Sequence, residues 1–154
     1  MNTQISSLNN IIDLSMTTDA DLFTLANKLK IPLMAVVNKD KLNEFKPKAR
    51  TGWIINLEDS DDGGGTHWTA LWLDDKCSIY MDSFGIDPPN DVLQFAKRWK
   101  KNIIISRDKI QDINDGGCGQ YCILFLYIAN RLASQPTKAL KSFQSIFKVQ
   151  RSST

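Results

Sequence analysis

A continuous apolar run from Tyr121 to Ala129 constrains the fold of this chain more than any other feature. Apolar residues at every position are tolerated in a helix only when that helix is buried nearly all round. The run is far shorter than the roughly 20 residues that a membrane-spanning helix requires, so no membrane segment is expected. The sequence therefore predicts a helix through the centre of a hydrophobic core.

Segments with helical and extended patterns alternate along the rest of the chain. The apolar spacing of TDADLFTLANKLK, VLQFAKRWK and TKALKSFQSIF predicts three further helices. β-Branched and aromatic residues dominate TGWIINL, HWTALWL, CSIYMDSF and NIIIS, which predicts four strands, the first three antiparallel. We expect an α+β fold in which a central mixed β-sheet is flanked by helices.

Length and composition favour one ordinary globular domain spanning residues 1–154. The chain has 154 residues, of which 42% are hydrophobic and 23% charged. The N-terminal stretch MNTQISSLNN is polar and carries no secretory signal pattern, and residues 1–17 are expected to be loosely held. Three cysteines are an odd number, which disfavours a disulfide framework and predicts free thiols in a reducing compartment.

One of these cysteines, Cys118, lies between Gly117 and Gly119, where a flexible loop meets the predicted central helix. The positive end of a helix dipole stabilises a thiolate, and flanking glycines let a substrate backbone approach and leave backbone amides open as oxyanion donors. Cys118 is therefore a candidate nucleophile. The alternative is that Cys118 is only a small residue at a tight junction between loop and helix, which explains the same pattern. Cys77 and Cys122 are predicted to be structural.

A cysteine nucleophile needs a base, and His67 is the only histidine in the chain. It stands at the entry to one predicted strand, while Asp82 stands at the end of the next. In an antiparallel pair these positions are neighbours, so Asp82 could orient His67 for nucleophilic catalysis. A surface or core histidine and a turn-forming aspartate remain the alternatives.

These motifs together resemble those of the adenovirus-type maturation proteases and their relatives in virophages and Polinton-like elements. The resemblance rests on GTHW, on YMDSFG with its aspartate 15 residues after His67, and on Gln111 seven residues before Cys118 in CGQYC. It covers residues 20–132 and implies the papain-like fold of the SUMO and ubiquitin-like proteases, with the nucleophile at the start of the buried central helix.

The resemblance implies a role for each matching residue. Cys118 would be the nucleophile, His67 its base and Asp82 the histidine-orienting acid. Gln111, which in isolation reads as a loop residue, would be the oxyanion donor. The resemblance places Trp68 along the substrate cleft, and the glycines flanking the nucleophile belong to the same cleft. No cysteine matches the one that binds the activating peptide of the adenovirus enzyme, which puts that mode of activation in doubt.

The implied function is a cysteine endopeptidase that cleaves viral capsid or scaffold precursors during virion maturation, at Gly-rich sites with small residues. We expect a monomer that acts in the virion and the host-cell interior. A deubiquitinase or deSUMOylase with the same site is an alternative, although a chain of this length has little surface to grip a folded modifier. A catalytically silent binding module is another.

Charge distribution and ligand chemistry complete these expectations. The net charge of +2 conceals basic clusters at 39–50, 97–109 and 138–151. If the clusters converge on one face, DNA should bind through them and could stimulate cleavage, as in the resembled viral enzyme. One histidine and three dispersed cysteines do not build a zinc site, and the chain has no phosphate-binding glycine motif. The chemistry is expected to need no cofactor or metal.

Overall fold

The computed structural model describes residues 18–58, 67–110 and 118–152, with side chains described as far as residue 147. Residues 1–17, for which the sequence predicts a loosely held segment, lie outside the described residues. The elements in chain order are helix α1 (Asp19–Lys28), strand β1 (Leu33–Asn38), a 3₁₀ helix (Lys39–Glu44), strands β2 (Thr51–Asn56), β3 (Trp68–Leu73) and β4 (Ser78–Met81), helix α2 (Asn90–Trp99), strand β5 (Ile103–Ser106) and helices α3 (Cys118–Arg131) and α4 (Pro136–Ser152).

The described strands form one five-stranded sheet in the order β1-β2-β3-β4-β5. Strand β3 pairs antiparallel with both β2 and β4, and each edge strand pairs in parallel with its neighbour. The predicted α+β fold with a central mixed sheet is therefore confirmed. The sequence did not predict β1, which follows directly after Pro32 and whose register with β2 shifts between Leu33 and Ala35.

Alternation of side chains along the strands produces two separate apolar layers. On one face, Ile54, Trp72 and Ile79 pack with residues of α1, α3 and α4. On the other face, Trp53, Leu71 and Tyr80 pack with residues of α2 and the 3₁₀ helix. Because successive strand residues point to opposite faces, a sheet covered on both sides needs apolar residues at consecutive positions. Strands β2, β3 and β4 each contain such an apolar run, and every residue in them is buried.

Helix α3 is the predicted central helix, and its burial confirms that prediction. Nine of its residues are buried, including Cys122, Ile123 and Phe125, which are fully enclosed. The helix approaches the sheet closely at Gly52 of β2, where an added Cβ atom would lie 3.1 Å from the side chain of Leu126. Glycine at this position therefore lets the helix sit directly on the strand.

The three basic clusters lie on elements that pack on both faces of the sheet. The clusters at 39–50 and 97–109 adjoin, because Arg98 of α2 donates a hydrogen bond to the carbonyl oxygen of Asn43 at 3.3 Å. The third cluster, at 138–151, falls on α4, which covers the opposite face of the sheet. DNA binding through these clusters stays a prediction.

Within the described ranges, no helix combines the length and the apolar character needed to cross a lipid bilayer.

Helix α4 holds α3 against the sheet, and truncation of its central aromatic residue tests this role. Phe143 is fully buried and meets the ring of Phe125 edge-on at 5.4 Å. Phe143→Ala should lower the free energy of unfolding by about 3–5 kcal/mol in urea titrations, because it leaves a cavity between the two helices. Lys141→Ala, on the exposed side of α4, should change it by less than about 0.5 kcal/mol. Equal effects of the two substitutions would contradict this packing.

Candidate active site

His67 and Asp82 meet where β3 begins and β4 ends. His67 immediately precedes β3 and Asp82 immediately follows β4, and the two strands pair antiparallel with Ala70 opposite Met81. This register brings the start of one strand beside the end of the next. The Nε2 atom of His67 lies 2.8 Å from Oδ1 of Asp82, a hydrogen-bond distance. The aspartate side chain is fully buried, whereas the histidine side chain keeps 20% of its surface exposed.

Asp82 also organises the turn that follows it. Its Oδ1 atom accepts a hydrogen bond from the backbone N–H of Phe84 at 2.9 Å, and its carbonyl oxygen accepts one from Gly85 at 2.8 Å. Asp82 therefore both forms the turn and contacts His67. Its other oxygen, Oδ2, is buried and has no hydrogen-bond partner among the described residues, so both side-chain contacts are carried by one atom.

Cys118 is the first residue of α3 and is buried against the start of β3. The backbone N–H of Trp68 donates a hydrogen bond to its Sγ atom at 3.5 Å, which ties the thiol to the residue beside His67. The Cys118 thiol also hydrogen-bonds His67, a contact that acts on the pKa of both groups. Asp82, His67 and Cys118 therefore form a continuous chain of contacts.

The pKa of Cys118 is lower than that of an ordinary thiol. Burial alone would raise this pKa and is the largest single influence on it. The hydrogen bond with His67 and the backbone amide of Trp68 act against burial, and they are assisted by the positive charge of the imidazole and by the amide of Gly119. Because these contacts together outweigh burial, the site favours a thiolate at Cys118.

The pKa of His67 changes in the opposite direction. Burial of the ring would lower this pKa and is again the largest single influence. The hydrogen bonds to Asp82 and Cys118, with the negative charges of the same two groups, outweigh it and raise the pKa of His67 to about 9. A low thiol pKa beside a high imidazole pKa is the condition for a thiolate–imidazolium pair at neutral pH.

The other two cysteines lie in surroundings that suppress reactivity. Cys122 is fully buried, and burial raises the pKa of its thiol well above the ordinary value. Cys77 precedes β4, is also buried, and burial raises its thiol pKa as well. None of the three cysteines forms a disulfide. The predicted structural character of Cys77 and Cys122 agrees with these environments.

The remaining predicted site residues fall into two groups. Gln111 and Gly117 lie outside the described residues. Trp68 is almost completely buried, and its backbone amide contacts Cys118. Gly119 is buried in the first turn of α3. Across residues 18–58, 67–110 and 118–147, no three His, Cys, Asp or Glu side chains are grouped so that they could hold a metal ion.

The structure adds a residue that sequence reasoning missed. The ring of Phe84 lies with its centroid 4.7 Å from that of His67, at an interplanar angle of 35°. In the sequence, the only signal for this contact is an aromatic residue two positions after Asp82 in DSFG. The sequence indicated a turn there, but the contact with His67 arises only when β3 and β4 pair.

Comparisons with known proteins bear on the fold. No protein-family model matches this chain, and no curated protein sequence is significantly similar to it. Eight chains of solved structures match, and one of them is the crystal structure of the ASFV pS273R protease. The two chains share 13% sequence identity with a TM-score of 0.55, and the match covers 84% of this chain and 63% of that one. This chain therefore spans less than two thirds of the length of that protease.

At this level of identity the likeness shows the fold alone. The chain has the papain-like α+β architecture of a protease structure, which confirms the predicted fold class. The predicted membership of the adenovirus and virophage branch is not supported by the comparisons.

The high pKa of His67 can be measured directly, because the chain contains a single histidine. The imidazole proton signals should titrate near pH 9 in NMR spectra, so that His67 is largely protonated at pH 7.5. Asp82→Asn should lower this pKa, since it removes the negative charge that favours the imidazolium. A wild-type titration near the ordinary value of about 6.5 would contradict the ion pair.

Proposed function

We propose that this protein is a cysteine endopeptidase in which Cys118 is the nucleophile. The observation that carries the proposal is the chain of contacts from Asp82 through His67 to Cys118 at the start of a buried helix. Nucleophile, base and orienting acid in hydrogen-bond contact are the arrangement that covalent catalysis requires. A fold shared with a protease structure supports the same conclusion.

The reaction would begin from the Cys118 thiolate. The thiolate attacks the carbonyl carbon of a peptide bond and forms a tetrahedral intermediate with a negative oxygen. The imidazolium of His67 then gives its proton to the leaving amine, and the intermediate collapses to a thioester. Neutral His67 next takes a proton from water, which attacks the thioester and releases the acid product. Asp82 keeps the imidazole oriented in both steps.

The negative oxygen of the intermediate requires hydrogen-bond donors. The backbone amide of Cys118 and the N-terminal end of α3 are candidates, because helix N-termini favour negative charge. We propose that the side chain of Gln111 is a further donor. Its preceding residue supports this role, since the backbone N–H of Ile110 donates to the carbonyl oxygen of Ser83 at 2.9 Å. The residue that precedes Gln111 is therefore hydrogen-bonded to the residue that follows Asp82.

The proposed substrates are proteins. On the resemblance of the sequence motifs, we propose viral capsid or scaffold precursors cleaved at Gly-rich sites with small residues. Incubating the protein with such precursors, and identifying the cut sites by mass spectrometry, would test this choice. Ubiquitin and SUMO conjugates should be included in the same assay. Cleavage of these conjugates but not of the precursors would assign the site to an isopeptidase instead.

The three cysteines provide a matched test of the nucleophile. Cys118→Ala should abolish cleavage and labelling by an electrophilic peptide probe, because only this thiol has a lowered pKa. Cys77→Ser should retain both activities. Cys122→Ser should mainly lower the melting temperature, since it buries a hydroxyl group in the core. Full cleavage by Cys118→Ala would overturn the proposal, and absence of any labelling in the wild-type protein would favour a silent binding module.

The oxyanion role of Gln111 has a distinct kinetic signature. Gln111→Ala should reduce kcat by about 10²–10³-fold with little change in KM or melting temperature, because the lost donor acts mainly in the transition state. Gln111→Glu should be worse, since it sets a negative charge against a negative intermediate. Gln94→Ala, on the exposed side of α2, is the matched control and should behave as wild type. If both Gln111 variants had the wild-type kcat, Gln111 would not be an oxyanion donor, and backbone amides alone would stabilise the oxyanion.

A further inference from the structure

Phe84 contacts the candidate catalytic centre in two independent ways. Its ring lies against the imidazole of His67, with the centroids 4.7 Å apart and the planes inclined by 35°. Its backbone N–H donates to Oδ1 of Asp82 at 2.9 Å, the same oxygen atom that contacts Nε2 of His67 at 2.8 Å. One residue therefore constrains both the histidine ring and the carboxyl oxygen that the ring contacts.

The turn that carries Phe84 has little freedom to move. It is closed by the hydrogen bond from Gly85 N–H to the Asp82 carbonyl oxygen, and Gly85 has a left-handed φ of +73°. A Cβ atom on Gly85 would lie 2.7 Å from the carbonyl oxygen of Arg107, so the turn packs directly on the chain after β5. The hydrogen bond from Ile110 to Ser83 joins the same two segments. These contacts fix the backbone of Phe84, from which its ring extends towards His67.

We propose that Phe84 is a positioning residue for His67, whose ring holds the imidazole between Asp82 and Cys118 and whose π face favours the protonated imidazole. A cation within about 6 Å of an aromatic centroid is attracted by the ring quadrupole, and the observed separation meets this condition. This inference rests on the proposed function, because it assumes that the thiolate–imidazolium pair is the reactive form of the site.

Two effects of Phe84 on His67 must be distinguished. Any apolar side chain at this position would shield the imidazole from water and so disfavour its charge, whereas an aromatic face would favour the charge. Among the described residues, the titratable groups that act on His67 are Asp82 and Cys118, and neither changes when residue 84 is substituted. Leucine keeps an apolar side chain but lacks the π face, so Phe84→Leu isolates the aromatic contribution.

The single histidine makes the decisive measurement an NMR titration of His67 in variants of residue 84. Phe84→Leu should lower the pKa of His67 by about half a unit, the shift that corresponds to a partly exposed cation–π contact. Phe84→Tyr should restore the wild-type pKa, because it restores the ring. Phe45→Leu is the matched control: it alters a phenyl group that meets the ring of Trp53 edge-on, on the other face of the sheet, so the His67 pKa should not change.

Alkylation of Cys118 by iodoacetamide provides a second readout that requires no peptide substrate. In Phe84→Leu, the acid limb of the pH–rate profile should move to higher pH, since a weaker imidazolium stabilises the thiolate less. The kcat for peptide cleavage should fall about threefold with KM unchanged. A merely structural role would lower the melting temperature without moving either pH profile.

The possible failures of the two proposals are distinguishable. If His67 of the wild-type protein titrates near 6.5 and Cys118 alkylates no faster than an ordinary thiol, the ion pair and the proposed function are both wrong. If the wild-type pair is present but Phe84→Leu has the wild-type His67 pKa and alkylation profile, the positioning role alone is overturned. A pKa change of equal size in Phe45→Leu would also overturn it.

Discussion

Burial of helix α3 against the sheet is the constraint on which the rest of this structure depends. The helix lies over β2 and β3 and under α4, and its apolar residues form the largest part of one core layer. A helix that is buried nearly all round cannot slide or rotate without exposing apolar surface or clashing with Gly52. The first residue of this helix is Cys118, so the packing that stabilises the fold also sets the position of the candidate nucleophile.

Burial has a cost at this position, because it opposes the charge on both members of the proposed ion pair. It is the largest single influence on the pKa of Cys118 and on that of His67, and in each case it favours the neutral form. The pairing of the two groups, the amide of Trp68 and the contact with Asp82 together exceed this penalty. Hydrogen-bond partners on each group are therefore what favours the charged form of this partly buried pair.

The turn after β4 links this electrostatic balance to the backbone. Asp82 closes the turn with its carbonyl oxygen and, through one carboxyl oxygen, contacts both the turn and His67. Gly85 allows the close approach to Arg107. The carbonyl oxygen of Ser83 accepts a hydrogen bond from Ile110, the residue before Gln111. A short segment thus connects the acid, the aromatic neighbour of the base and the entry to the proposed oxyanion donor.

The sequence by itself determined the elements whose signal is local. The apolar run from Tyr121 to Ala129, the aromatic strands and the chemistry of Cys118, His67 and Asp82 could all be recognised without a structure, because periodicity and residue type are properties of short segments. Only the tertiary structure decided what depends on distant pairing. It added β1, whose parallel partner lies beyond the 3₁₀ helix, and it placed Phe84 against His67. It also brought Cys118 into contact with residues 50 positions earlier in the chain, since such contacts follow from how the sheet and helix pack rather than from any local pattern.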